Sequence, residues 1–254
     1  MEPSDTGSWT RQLEQDGFAA LRGFVEPGEL SDIVERLGHF IRDIVPRLSP
    51  EEAFFEDKGD RRTLKQIQGI ADHDPWFRQL FHEGSFRSAA EAALGKPVIP
   101  KNLQYFNKPP GVGKPTPAHQ DGYYFMLEPC EAVTMWLALE DVDEENGCVR
   151  YVRGSHRQGL RSHSRTTVLG FSQGITDYPT EQDRQNEAKV PATAGDLLIH
   201  HAMTIHRADG NRSTHRTRRA LGFVYYSVDA QVDAQRHAAY QAQLAQDMKS
   251  KGMI

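Results

Sequence analysis

Residues Pro115–Phe125 read PTPAHQDGYYF, a histidine and an aspartate two positions apart, behind a proline-rich turn and ahead of three aromatics. In an extended strand, residues i and i+2 project to the same face, so His119 and Asp121 can converge on one ion. An imidazole and a carboxylate suit a divalent iron centre, where two histidines and one carboxylate take one face and leave the other open. Two residues do not make a site, and the same spacing also fits a polar loop. The reading turns on a third ligand.

The segment Gly195–Phe223, GDLLIHHAMTIHRADGNRSTHRTRRALGF, offers His200, His201 and His206. Antiparallel sheets join positions distant in sequence, so a strand lying across a sandwich can bring one of them opposite His119. His206 is the favoured ligand, because a Gly-Asn turn and then Arg218-Arg219 follow it at the start of another strand. That order puts a cation near the ion; His200 and His201 are read as structural. Counted from Arg218, the same-face neighbours are the small Ala220 and Gly222, whereas Arg219 shares a face with Leu221 and Phe223. Arg218 is therefore expected in a cavity, where its planar fork can grip a carboxylate. The strand AVTMWLALEDV, from Ala132, divides likewise. Val133, Met135, Leu137 and Leu139 form an aliphatic face, leaving Thr134 and Trp136 to line the cleft.

A chain of 254 residues, 38% hydrophobic and 26% charged with no apolar run near 18 residues, is expected to be one soluble globular domain spanning 1–254. Its start is polar and acidic and carries no secretory pattern, so the cytoplasm is the expected address. Cys130 and Cys148 are too few for a disulfide framework and read as ordinary thiols. A formal net charge of −5 argues against a dedicated nucleic-acid binder.

The first part of the chain reads as helical. After a short strand over 18–25, the stretch 28–45 places Leu30, Ile33, Val34, Leu37, Ile41 and Ile44 on one helical face. Residues 51–64 read as a mobile loop, and Asp74-Pro75 caps a second helix carrying Trp76, Phe77, Leu80 and Phe81. From about Val98 short apolar runs separated by turn residues recur, over 98–106, 132–142, 148–152, 196–201 and 219–228, as antiparallel strands do. Helices followed by strands suggest a mostly β double-sheet fold with flanking helices. The tail 229–250, rich in Ala and Gln, reads as a terminal helix.

Taken in order, NKPPG from Asn107, HQD, Trp136, the run from Asp141 to NGC, GSH from Gly154, GD, IH, NRS and RRAL make the chain resemble the phytanoyl-CoA dioxygenase family of iron and 2-oxoglutarate oxygenases, over roughly Lys65 to Tyr226. The resemblance implies a double-stranded β-helix, the cupin-like jelly roll, with Fe(II) held by His119, Asp121 and His206. It implies 2-oxoglutarate as cosubstrate with its distal carboxylate on Arg218, O2 as oxidant and ascorbate as a supporting reductant. By position it further implies cosubstrate contacts from Lys65, Gln104, Gln120 and Trp136, and Thr134, on the cleft-lining face of its strand, is expected as another. Asn146, Gly147, Gly154, Ser155 and His156 match motif positions and read as turns that hold the site. Related halogenases replace the aspartate with a small residue, so an intact Asp121 implies hydroxylation of an aliphatic C–H.

Two other classes compete with an oxygenase. One is a jelly-roll binding or regulatory protein without turnover, against which the complete triad and Arg218 argue. The other is a nucleic-acid protein using the five arginines of residues 206–219, where no aromatic stacking platform is evident. The expected partner is a small molecule, with no nucleic acid and no membrane. Between Arg150 and Arg165 stand five arginines, two histidines and no acid, so an anionic substrate steered by Arg157, Arg161 or Arg165 is the further expectation.

Overall fold

A computed structural model describes residues 3–168 and 171–250. Two antiparallel sheets organise it. The larger runs, in spatial order, Phe18–Leu21, Leu197–His201, Ala132–Ala138, Arg219–Ser227, Val98–Asn107, Leu64–Ile67 and Ala53–Phe55. The smaller runs Glu187–Val190, Val149–Val152, His206–Ala208 and Thr116–His119. This is the jelly roll implied by the sequence, with helices making up about a third of the chain.

Alternation decides which face of the large sheet does what. Val133, Met135 and Leu137, with Leu103, Tyr105, Leu221, Phe223 and Tyr225 from neighbouring strands, form the face that the helices cover. The helix Pro27–Asp43 buries Ile33, Leu37 and Phe40 there. The helix Pro75–His82, capped by Asp74 through the Trp76 and Phe77 amides, buries Phe77 and Phe81. The other face turns toward the small sheet. Trp136, Ala138, Leu198 and Ala220 meet Val149 and Tyr151 across the gap, and the site lies in the unfilled part of that gap.

The structure adds some elements that the sequence pattern leaves unmarked and corrects others. The polar start folds as a helix, Pro3–Asp16, anchored by buried Trp9 and Leu13, an i, i+4 pair too sparse to show as an amphipathic stripe. The stretch 51–64, read as a loop, supplies the edge strand Ala53–Phe55 and a short 3-10 turn. Its Phe54 pairs opposite Gln66 and is buried. The basic segment also contains a strand, His163–Val168, paired with Phe171–Ile175. The first strand stops at Leu21, before Gly23 with φ +57. Cys148 is buried and Cys130 half-buried, both free thiols. Among the described residues no helix is long and apolar enough to cross a membrane.

Candidate active site

His119 ends its strand, and the adjacent strand of the same sheet sets His206 directly opposite it. The second histidine therefore comes from a neighbouring strand rather than from across the sandwich. Asp121 is not in a strand either. The chain turns after His119, and Asp121 adopts helical angles, φ −59 and ψ −34, as the cap of the single turn Gly122–Phe125. The turn, not strand alternation, brings the carboxylate to the imidazole. Asp121 Oδ1 lies 3.5 Å from His119 Nε2 and 3.7 Å from His206 Nε2, and one donor atom from each of the three residues falls within 4.8 Å of the others.

Backbone carbonyls fix both imidazoles. His119 Nδ1 is 2.8 Å from Pro117 O and His206 Nδ1 is 3.0 Å from Thr204 O. A carbonyl only accepts, so Nδ1 carries the proton and the Nε2 lone pairs face Asp121. Burial holds His206 well below its usual range, reinforced by His119 and His200. For Asp121 burial opposes ionisation, yet His206, His119 and His200 outweigh it and keep the carboxyl well below its usual value. Two imidazole nitrogens and an ionised carboxylate oxygen on one side of an opening form a donor set that fits a divalent iron.

The second oxygen of Asp121 is already used. Thr134 Oγ1 donates to Oδ2 at 2.6 Å, and His200 Nε2 stands 3.2 Å from the same atom. His200 Nδ1 pairs in turn with the Tyr151 hydroxyl at 3.1 Å, a phenol that burial keeps protonated. The register explains the convergence, since His200 pairs with Thr134 across the sheet. His201, one residue on, faces the other way and accepts the Met203 amide.

A cavity of about 650 Å³ opens beside the triad. At its closed end Arg218 is 5% exposed, its guanidinium carbon 5.3 Å from the Trp136 ring centroid. Burial pushes its pKa down to about 10, so it remains a cation at neutral pH. Among the described residues Arg218 makes no ion pair, and its Nε, Asn107 Oδ1 and Gln66 Oε1 are buried without hydrogen-bond partners. Arg219 points away and pairs with Glu140 at 3.0 Å, as the alternation of that strand requires. Lys65 lines the same end, 3.2 Å from Glu56, and Gln104 accepts from Gln66 at 3.0 Å. Lys108, in the motif NKPPG and without a sequence pattern that marks it, is a further buried basic side chain there. Its ammonium donates to Lys114 O and Thr116 Oγ1, and burial, then Arg218, push its pKa well down. The space above Gly222, expected to be open, is filled by the Phe106 ring, which a Cβ would meet at 2.6 Å.

Gln120 is the residue whose expected role its placement does not support. It is fully buried and absent from the cavity wall. Its amide donates to Gly159 O at 2.9 Å and Met203 O at 2.7 Å, and its Oε1 accepts from Arg161 N at 2.9 Å. Flanked by two residues that face the ion, it faces the loop behind. The turn motifs do hold the site. Asn146 donates to Asp141 O and Thr217 O, beside Arg218, while Ser155 Oγ accepts the Ile205 amide next to His206. Gly147, at φ +96, sits where a Cβ would come within 2.6 Å of Asp209 O.

Within the basic segment the three arginines part ways. Arg157 donates to the carbonyls of Glu14 and Gln15 at the end of the first helix, and Arg161 is bound to Asp177 and Asp183. Arg165 alone of the three lines the cavity. Two of the arginines of residues 206–219 are likewise committed. Arg207 pairs with Glu187 and Asp209, and Arg216 with Asp143 and Glu145.

Comparison with known proteins agrees with this geometry. A Bos taurus relative, phytanoyl-CoA dioxygenase domain-containing protein 1, is 26% identical over 258 residues, covering 85% of this chain and 88% of the relative. An Arabidopsis thaliana phytanoyl-CoA dioxygenase is 33% identical over 174 residues, covering 65% of this chain and 59% of that one. Among solved structures, the epimerase SnoN in complex with Fe3+, alpha ketoglutarate and nogalamycin RO superposes with a TM-score of 0.72 at 22% identity, over 91% of this chain and 87% of that one. EctD from S. alaskensis with bound Fe gives 0.75 at 17%, over 92% and 79%. These two likenesses are of fold. The family model described as Phytanoyl-CoA dioxygenase (PhyH) matches residues 13–220, and the chain belongs to that family of iron- and 2-oxoglutarate-dependent oxygenases.

Proposed function

We propose that His119, Asp121 and His206 hold one Fe(II) and that Arg218 binds the distal carboxylate of 2-oxoglutarate, in an enzyme that hydroxylates an aliphatic C–H of a small metabolite with release of succinate and CO2. The observation that carries the reading is a pairing of two features on one cavity. Three donor atoms lie within 4.8 Å of each other, and a buried guanidinium that makes no ion pair among the described residues stands at the closed end. When bound, the iron supplies the redox chemistry with O2 that no side chain here can perform.

The chain's own residues do the rest. His119 and His206 present Nε2 lone pairs because Pro117 O and Thr204 O occupy the opposite nitrogens. Asp121 presents Oδ1 alone, since Thr134 and His200 occupy Oδ2. With three donors on one side of the opening, these residues would hold an iron ion and leave its other side accessible to the 2-oxo acid and O2 from the cavity. Arg218, stacked on Trp136, is pre-organised to grip a carboxylate through two parallel hydrogen bonds. Lys65, Lys108 and Gln104 bring further donors to the same end, and the buried walls exclude water from it. Thr134 acts here through Asp121.

A cytoplasmic setting and ascorbate as a reductant for the iron complete the proposal, with no nucleic acid as partner. The test is succinate release from 2-oxoglutarate with Fe(II) and ascorbate across a metabolite panel. His119→Ala, Asp121→Ala and His206→Ala should each abolish it while His201→Ala leaves it largely intact. Full activity in His206→Ala with loss in His201→Ala would reverse the ligand assignment.

A further inference from the structure

The strand Val98–Asn107 carries a β-bulge. Asn102 pairs with Val224 and Pro100 with the next residue, Tyr225, so Lys101 has no opposite number. Counted from Leu103 and Tyr105, both in the helix-covered core, strict alternation would drive Lys101 into that core. The extra residue re-aims it, as bulges do, and Lys101 lines the cavity beside Asn102 and Gln104. Its ammonium stands 5.2 Å from the centroid of the Tyr226 ring, also in the cavity wall. Lys101 is exposed, and among the described residues it makes no ion pair.

Position along the sheet gives this lysine a meaning. Arg219 pairs with Asn107, six residues from Lys101, so the two ends of the strand lie roughly 20 Å apart at about 3.3 Å per residue. Between them, Thr134 pairs with Val224, opposite Asn102, and holds Asp121. The cavity therefore has a buried cation at its closed end, the candidate metal ligands between, and an accessible cation at the open end. Arg165 lines it from the hairpin strand His163–Val168. Among the described residues seven Lys and Arg side chains line the cavity against two acids, Glu51 and Asp121, in a chain of net charge −5. Lys65, Lys114 and Arg207 are paired with Glu56, Glu187 and Asp209 outside that wall, and the remaining excess of cations draws in anions. The wall near Lys101 is nonetheless apolar and aromatic, made by Val224, Tyr226, Phe125, Tyr124 and Val232.

We propose that Lys101 is the specificity-determining anchor for a carboxylate or phosphate on the prime substrate, whose apolar body lies along the Tyr226 and Phe125 wall with a C–H presented to the iron. This rests on the oxygenase reading above. An aromatic-backed ammonium discriminates by charge, and the apolar wall by shape.

The experiment uses four probes of one chain length, octanoate, octyl phosphate, octanamide and octylamine. Binding to the Co(II)- and 2-oxoglutarate-loaded protein is measured by calorimetry, and succinate release is measured with Fe(II). Octanoate or octyl phosphate should bind at least about tenfold more tightly than octanamide, the worth of one charge-assisted hydrogen bond. A preference between the two anions identifies the headgroup. Lys101→Gln should erase the advantage, Lys101→Arg should retain it, and Lys101→Glu should shift preference to octylamine. Since Lys101 is exposed, these variants fold. Octanamide binding as well as both anions, no probe binding at all, or an anion preference that survives Lys101→Gln each overturns the proposal. Failure of the oxygenase reading is distinguishable, because the wild-type protein would then take up neither Co(II) nor 2-oxoglutarate.

Discussion

His200 and Asp121 are hydrogen-bonded, with Nε2 3.2 Å from Oδ2. A carboxylate at that distance requires the N–H on Nε2, which leaves Nδ1 for the Tyr151 hydroxyl at 3.1 Å. His200 thus belongs to the support of the candidate metal ligand rather than to the ordinary core. Replacing it with Phe keeps a ring of similar volume and removes the donor. We expect His200→Phe to weaken Fe(II) or Co(II) binding by about 10- to 100-fold, the usual worth of a partner that orients a ligand. His200→Gln, which restores an N–H, should recover part of that loss. Metal dissociation constants from competition with a chelator check this, and an unchanged constant for His200→Phe would sink the idea.

Arg218 and Arg219 are adjacent and face opposite ways, one buried over Trp136 and one paired with Glu140. Loss of a charge-assisted grip on a carboxylate costs on the order of 2–4 kcal/mol. Arg218→Ala should therefore raise the KM for 2-oxoglutarate by about 30-fold or more, with Arg219→Ala having little effect on it. Comparable rises in the two variants would defeat the assignment.

The agreement between sequence and structure is strongest where a period of two runs unbroken. The strand Ala132–Ala138 sorts Val133, Met135 and Leu137 from Thr134 and Trp136 as its alternation requires, and the same rule separates Arg218 from Arg219. It fails where the backbone leaves the strand. Asp121 shares a site with His119 through a helical turn, and Gln120 between them turns to the loop behind, where its amide makes three hydrogen bonds rather than facing the cavity. Lys101 is misplaced by strict alternation because a bulge beside it shifts the strand's faces, and Pro100, which cannot donate a ladder hydrogen bond, is the only local sign of that bulge in the strand. His200 could be told from His201 only through cross-strand register, which depends on the partner Thr134, 66 positions away.

The placement of Gln120 makes a separate prediction. Gln120→Ala leaves the Gly159 and Met203 carbonyls and the Arg161 amide without their partner, and buried polar groups left unsatisfied cost about 1–3 kcal/mol. The variant should lose thermal stability by several degrees while its KM for 2-oxoglutarate stays within about twofold of wild type. A large rise in KM at unchanged melting temperature would restore the cosubstrate contact and refute the structural role.

Acid should destabilise the protein partly through His201. Burial pulls its pKa down to about 4, helped by the nearby His156 and His200, against an ordinary 6.5. Between those values the unfolded chain takes up a proton that the folded chain refuses, so stability rises with pH. The contribution of His201 is whole above about pH 6.5 and is lost as pH falls toward 4, at a rate of roughly 1.4 kcal/mol per pH unit at most. His201→Asn keeps an acceptor for the Met203 amide, which His201 Nδ1 receives at 3.1 Å, and removes the titrating group. Urea unfolding of the metal-free protein at several pH values should therefore show a shallower decline below pH 6.5 in His201→Asn than in wild type. Using metal-free protein keeps acid release of a bound ion out of the comparison. Parallel curves for the two proteins would mean that the acid sensitivity arises elsewhere, with His156, whose pKa burial also lowers, the next group to replace.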